Sequence, residues 1–371
     1  MINLKKRIFK KILLCKIFFL IAILFLLISA SGCSRKKAVE KKLEDIRTGT
    51  QGIVMSFLPN APPDKIHVDD SRDADNSFDI ILELRNKGAY PQPNEGRAPA
   101  GTVVVSGFDT NIIRVEPLTG TQSYQSFEDK ALEGKSTINP NGGLDLLNFK
   151  GGVDVNNLHV EKYEPTLLAT ACYRYKTIAG PLVCIDPNPF STANLKKVCQ
   201  VQSVSLSNQG APIAVTRIDE ESLGARTQFK ITIKNVGGGD VIKNTVNDQC
   251  TVVERDNLDK VEVNNVVVGN TLLICRPFID FIDSGSSETS GSRGYIRLIN
   301  GEGFVICELP KTQYKSNTAY TTPMTIELSY NYRNTVEKKI QIKKEMGGSG
   351  SSDYRPPTEP SPLQPGEGAV P

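Results

Sequence analysis

Residues 323–333 read PMTIELSYNYR, and residues 165–175 read PTLLATACYRY. In the first stretch Met324, Ile326, Leu328, Tyr330 and Tyr332 alternate with Thr325, Glu327, Ser329, Asn331 and Arg333. In the second, Leu167, Ala169, Ala171, Tyr173 and Tyr175 follow a proline in the same phase. A period of two with one apolar side is the pattern of a strand buried on one face. The two Tyr-x-Tyr pairs stand 157 residues apart. A second echo lies upstream of each. Phe229, Ile231 and Ile233 run into Asn235, Val236 and Gly237, while Leu82 and Leu84 run into Asn86, Lys87 and Gly88, an offset of 149 between the asparagines. Two echoes in the same order at nearly the same offset predict two copies of one domain. The copies span 50–186 and 198–345, joined by a linker at 187–197 that contains Pro187 and Pro189.

Outward from these stretches the texture stays that of strands. Phe78, Ile80, Leu82 and Leu84 alternate with Asp79, Glu83 and Arg85, with Ile81 as the exception, and 103–105 and 112–115 are further candidates. Beyond Leu43 no segment keeps a 3.6-residue period, so the body reads as all-β. About 140 residues per copy are enough for a core of its own, and short strands with frequent turn signals predict an antiparallel sandwich. Residues 34–49 carry Ala38, Val39, Leu43 and Ile46 at the spacing of a short stalk helix, or equally of a solvated charge run. Residues 346–371 hold six prolines and almost no large apolar side chain. Such a segment cannot bury a core and is expected to be a disordered tail.

The N-terminus is of another kind. Residues 17–30 are an uncharged, mostly apolar run, preceded by Lys5, Lys6, Arg7, Lys10, Lys11 and Lys16 and followed by Ser31, Gly32 and Cys33. Fourteen residues fall short of the roughly 20 that a free-standing membrane helix needs. They suit the apolar core of a secretory signal. Residues 30–33, ASGC, resemble the lipobox of lipoproteins, in which the cysteine is lipidated, although Ala30 stands where Leu is usual. Counted from 8 to 32, the segment could instead remain as an uncleaved anchor, or it could be cleaved and the body released. All three place the basic end in the cytoplasm and everything after Cys33 outside. The membrane is thus one expected partner, through residues 1–33.

Charge narrows the remaining functions. The 371 residues carry 44 basic and 41 acidic side chains, a formal net charge of +3. All six charges before Cys33 are basic, so the body holds 38 basic against 41 acidic groups. A nearly neutral body lacks the concentrated basic face that nucleic acid requires. With two histidines in the chain, His67 and His159, a His-rich metal site or a His-based relay finds little support.

Cysteine parity agrees with an exported body. Beyond Cys15 and Cys33 there are six: Cys172, Cys184, Cys199, Cys250, Cys275 and Cys307. An even number in an exported chain reads as three disulfides, and the absence of a C-x-x-C spacing argues against a zinc ribbon or redox pair. The turn-forming stretch 177–181, TIAGP, predicts a hairpin centred on Ile178, which would place Cys172 opposite Cys184. Cys275–Cys307 is then the preferred second pair, leaving Cys199–Cys250. The competing pairing joins Cys184 to Cys199 across the linker.

The segment 229–239, FKITIKNVGGG, resembles the immunoglobulin-like domains of prokaryotic surface proteins, including the cell-adhesion-related domain common there. Its mark is an alternating strand followed by Asn-x-Gly, where glycine permits a turn that a Cβ would resist. The whole chain is similar to archaeal-type membrane-anchored surface proteins through 48–52 (TGTQG), 57–60 (FLPN), 106–109 (SGFD) and 210–216 (GAPIAVT). The resemblance implies two tandem immunoglobulin-like sandwiches and a surface location, and brings no catalytic residue with it.

Little in the sequence points to chemistry. Asp73, Asp75, Ser77 and Asp79 occupy alternate positions, a spacing that can wrap calcium. The EF-hand pattern, however, wants Gly and Glu where Phe78 and Leu84 stand, so a solvated acidic loop is the plainer reading. Gly237, Gly238, Gly239 and Asp240 lack the Lys-Ser/Thr of a phosphate loop, and no G-x-S-x-G accompanies either histidine. No enzyme activity and no cofactor are expected. The sequence is read as a membrane-anchored, extracytoplasmic surface protein presenting its domains to another envelope or surface protein. The alternative is a surface lipoprotein that captures a soluble ligand for a transporter or enzyme. A cleft lined by convergent aromatics or carboxylates between the domains would favour the alternative, and a flat strand surface with no pocket the first reading.

Overall fold

A computed structural model describes residues 46–71, 75–92, 94–119, 122–191, 197–246, 252–281 and 292–345. The signal or anchor segment, most of the expected stalk helix and the C-terminal tail lie outside the described residues. Among those described, the body is built of β-strands with three short 3-10 turns. Almost all of the ladders are antiparallel.

Alternation places the core. In strand Ser77–Asn86 the side chains of Phe78, Ile80, Leu82, Leu84 and Asn86 are buried, and those between them are not. Each fully buried Ile or Leu contributes roughly 1.5–3 kcal/mol through the apolar surface it removes from water. This strand is flanked by Ile53–Phe57 and Leu144–Val153, with Ile113–Glu116 at the far edge. The second half repeats the arrangement. Strand Arg226–Asn235 is flanked by Ile213–Ser222 and Glu302–Pro310, with Val204–Ser205 and Ile274–Arg276 at the edges.

The facing sheet does not stop at the boundary between the halves. Strand Thr166–Ala179 pairs with Tyr320–Lys339 along its whole length, from Thr166 opposite Lys339 to Ala179 opposite Ile326. One eleven-stranded sheet therefore runs through both halves, with Gly101–Ser106 beside the first long strand and Lys260–Val268 beside the second. A further small sheet pairs Lys65–Val68 in parallel with Gln341–Lys344, so the end of the second half is held against the first. The expectation of two separate sandwiches on a linker is corrected in this respect. The two long strands are apolar on one side and rich in Thr, Ser, Asn and charge on the other. Each satisfies its backbone groups on the other half's long strand rather than standing as an exposed edge.

The echoes do mark equivalent places. Tyr173 and Tyr330 each offer a hydroxyl to the first residue of a facing strand, accepting from the amide of Ile53 at 3.1 Å and of Ile213 at 3.4 Å. Tyr175 and Tyr332 each donate to the side-chain oxygen of the echoed asparagine, Asn86 at 3.1 Å and Asn235 at 3.2 Å. Those oxygens also accept from the amides of Gly88 and Gly237, while the asparagine amides donate to the carbonyls of Tyr90 and Gly239, both at 2.7 Å. The asparagine thus closes the turn with its own side chain. Glycine follows because of crowding: a Cβ at Gly88 or Gly237 would collide with the hydroxyl of Tyr175 or Tyr332. The four rings form one cluster, with neighbouring centroids 5.7–6.4 Å apart.

The cysteines correct one expectation and fulfil another. Residues 177–181 make no hairpin. The chain runs straight on, and Leu182–Ile185 continues along the same partner, with Cys184 opposite Thr321. Cys172 and Cys184 lie twelve positions apart on one extended run, roughly 40 Å, beyond the reach of a disulfide. Cys184 is bonded instead to Cys199, at a Cα separation of 5.9 Å, which also removes the expected Cys199–Cys250 pair. The hairpin fails because Tyr320–Lys339 stays alongside through 166–179 and 182–185, and Gly101–Ser106 takes the other edge over Leu168–Tyr173, where Cys172 lies. Cys275–Cys307 is formed between residues directly opposite on neighbouring strands. Cys172 is itself disulfide-bonded, to a partner outside the described residues.

Candidate functional site

Strand Ile213–Ser222 carries Ile213, Val215, Ile218 and Glu220 toward the interior. The last of these is a carboxylate at an apolar position near the C-terminal end of the strand. There a cleft of about 350 Å³ is walled by Leu182, Val183 and the Cys184–Cys199 disulfide, by Gln200, Gln202 and Val204, and by Thr321 across from Cys184. Its volume falls at the small end of the usual range for ligand sites. The disulfide fixes one wall by fastening the segment that follows the linker to the strand that precedes it.

Glu220 is 9% exposed. One oxygen, Oε2, accepts from the amide of Cys184 at 3.2 Å, and Oε1 has no hydrogen-bond partner. Burial pushes its carboxyl up to about 7, opposed in part by the Cys184 hydrogen bond. No other residue lining the cleft is ionisable apart from the bonded cysteines. Asp219 and Glu221, its neighbours on the strand, point to the opposite face. Asp186 is occupied by Lys197 at 2.5 Å. The Tyr314 phenol, whose own pKa is raised by burial and, in smaller part, by Glu220, bonds to Thr227 at 2.8 Å.

The other deeply buried ions contrast with this. Glu262 accepts from both Arg293 and Asn244, and Lys260 is held by Asp280 at 3.0 Å and Asp256 at 3.3 Å. These groups are paired and belong to the fabric of the second half. Among the described residues, Glu220 is the acidic side chain with a buried, unpaired oxygen.

The residues singled out from sequence fall elsewhere. Cys33 and Asp73 lie outside the described residues. Asp75 is exposed and accepts from Ser77, whose hydroxyl first and whose amide second, at 3.1 Å, hold its pKa below the usual value. Asp79 is exposed on a strand, with Lys150 opposite. Among the described residues, no three His, Cys, Asp or Glu side chains gather as a metal site. No helix among them is long and apolar enough to cross a membrane. His67 is exposed and meets Glu345 at 3.1 Å. Sequence reasoning passes over Glu220, although a signal is present: Ile213, Val215, Ile218 and Phe229 define an inward face into which a carboxylate intrudes.

No family model matches the chain, and no curated protein matches it. Among solved structures it is similar to the Fcho1 Mu homology domain of Danio rerio with a bound Eps15 peptide. That likeness is 8% identical and covers 81% of this chain and 96% of that one, with a TM-score of 0.14. A likeness of that size carries no argument about fold or function.

Proposed function

We propose that the chain is an extracytoplasmic surface protein, tethered to the membrane through residues 1–33, whose fused β body is a non-catalytic platform for another envelope or surface protein. The tether is a lipid on Cys33 or an uncleaved anchor. The two halves are read as immunoglobulin-like copies. The observation that carries the location is the pair of disulfides, Cys184–Cys199 and Cys275–Cys307. Such bonds form and persist in oxidising compartments and are rare in reducing ones. The platform reading is supported by the shared sheet and the tyrosine cluster, which fix the halves relative to each other and present broad strand faces.

Proximity crosslinking on intact cells with a membrane-impermeant reagent, followed by mass spectrometry, tests this reading. The expected result is crosslinks from lysines of the body to one or a few envelope proteins. Crosslinks obtained only after lysis would refute it.

A further inference from the structure

The cleft at Glu220 has a feature that display of a surface does not call for. A buried carboxylate with an unpaired oxygen is costly. The fold does not require one there, as the first half shows. Phe57 occupies the place of Ile218, since each faces a residue four positions before the echoed asparagine. Beyond Phe57 the chain stays bonded to Ile81 through Leu58 and Ala61, on either side of a two-residue excursion, and residues 58–63 hold no carboxylate. The carboxylate is thus particular to the second half and lines a cavity.

We propose that this cleft is a binding site for a primary ammonium group on an apolar stem, with the ammonium on Glu220 and the stem along Leu182, Val183 and Val204. Oε1 is sealed from solvent, so the ammonium is received at Oε2 beside the Cys184 amide, and the cleft supplies no cation of its own. Gln200, Gln202 and Thr321 offer further oxygens for the second and third N–H donors of such a group. A guanidinium fits less well, because its flat fork asks for two accessible oxygens and Oε1 is sealed from solvent. The chemistry is that of a free alkylamine or of a lysine side chain on another polypeptide. This site goes beyond surface display and does not depend on the tether.

The test uses the oxidised full-length protein in detergent, with n-pentylamine as the first probe and pentanol, which has the same stem without the charge, as control. Binding is read by calorimetry and by carbon NMR of the Glu220 carboxyl. Pentylamine is expected to bind saturably at pH 8, to lower the midpoint of the Glu220 titration, and to weaken as pH falls below that midpoint. Glu220→Gln should weaken it by about tenfold or more, the scale of one charge-assisted hydrogen bond. Val204→Trp, which fills the cleft and keeps the carboxylate, should abolish binding while Glu220 still titrates. Competition by Nα-acetyl-lysine amide would assign the source as a polypeptide lysine, and its failure to compete would assign a free amine. Equal binding of pentanol, unchanged binding to Glu220→Gln, no saturable binding of pentylamine, or a Glu220 midpoint already near 4.5 in the free protein would each overturn the proposal.

Discussion

Arg174 stands directly opposite Asn331 in the ladder between the two long strands, and their numbers differ by 157, the offset that relates Tyr173 to Tyr330 and Tyr175 to Tyr332. A residue that pairs with its own repeat partner marks a pseudo-two-fold axis. On either side of it Tyr173 faces Tyr332 and Tyr175 faces Tyr330. The halves therefore meet as the subunits of an isologous dimer meet, through the same strand on both sides, but within one chain.

The tyrosine hydroxyls beside this axis are expected to contribute measurably to the stability of each half. Tyr175→Phe removes a bond to Asn86 and leaves the amide of Tyr90 without its acceptor. Tyr332→Phe does the same to Asn235 and Gly239. Each should lower unfolding stability by about 1–2 kcal/mol in urea titration. Unchanged midpoints would mean that the hydroxyls add nothing beyond the packing of the rings.

Non-reducing peptide mapping should join the fragment of Cys172 to that of Cys250. Cys172 is bonded, the other four body cysteines are paired with one another, and it forms a small cluster with Ile242 against which Val246, Val253 and Leu258 pack, residues that flank Cys250 in the sequence. A fragment linking Cys172 to Cys184 would contradict the straight run of residues 166–185.

Replacing Cys275 and Cys307 together by alanine should cost about 3–4 kcal/mol, the chain-entropy value for a separation of 32 residues. The Cys184–Cys199 pair, separated by 15, should cost about 3 kcal/mol. Denaturation curves of the two double variants check both, and a variant as stable as the parent would refute the corresponding figure.

Stability should fall as pH rises from about 4.5 to about 7. Glu220 has a raised carboxyl pKa in the folded chain, about 7 against 4.5, so over that interval the unfolded state gives up a proton that the folded state keeps. The stabilisation is complete below the lower value and is lost by the upper one, amounting to about 3 kcal/mol. Glu220→Gln should flatten this slope and be the more stable form above pH 7. A parent curve without the slope would show that the carboxyl titrates normally.

Much of the body is readable in its amino-acid sequence, and the features that are not have physical reasons. Period-two alternation finds the long strands. The paired Tyr-x-Tyr and Asn-x-Gly signals find equivalent positions, because a tyrosine hydroxyl, an asparagine side chain and a glycine form one unit in each half. What alternation cannot say is which edge a strand pairs with. Gly180 and Pro181 look like a turn, yet the chain passes through them extended, since the long strand of the other half continues alongside and Pro181 accepts from the amide of Met324 at 2.8 Å. The same blindness to pairing hides the shared sheet and ranks the true partner of Cys184, Cys199, behind Cys172. Glu220 escapes notice because a search for clusters of ligands passes over one carboxylate in an inward phase.

Protease treatment of intact cells tests the central claim, an exported and tethered body, most directly. Added protease should remove the body from whole cells while cytoplasmic markers survive, and the protein should fractionate with membranes beforehand. Cys33→Ala should release or mislocalise it if lipid is the tether and leave it membrane-bound if the apolar segment is an uncleaved anchor. A body that stays intact until the membrane is broken would contradict the account.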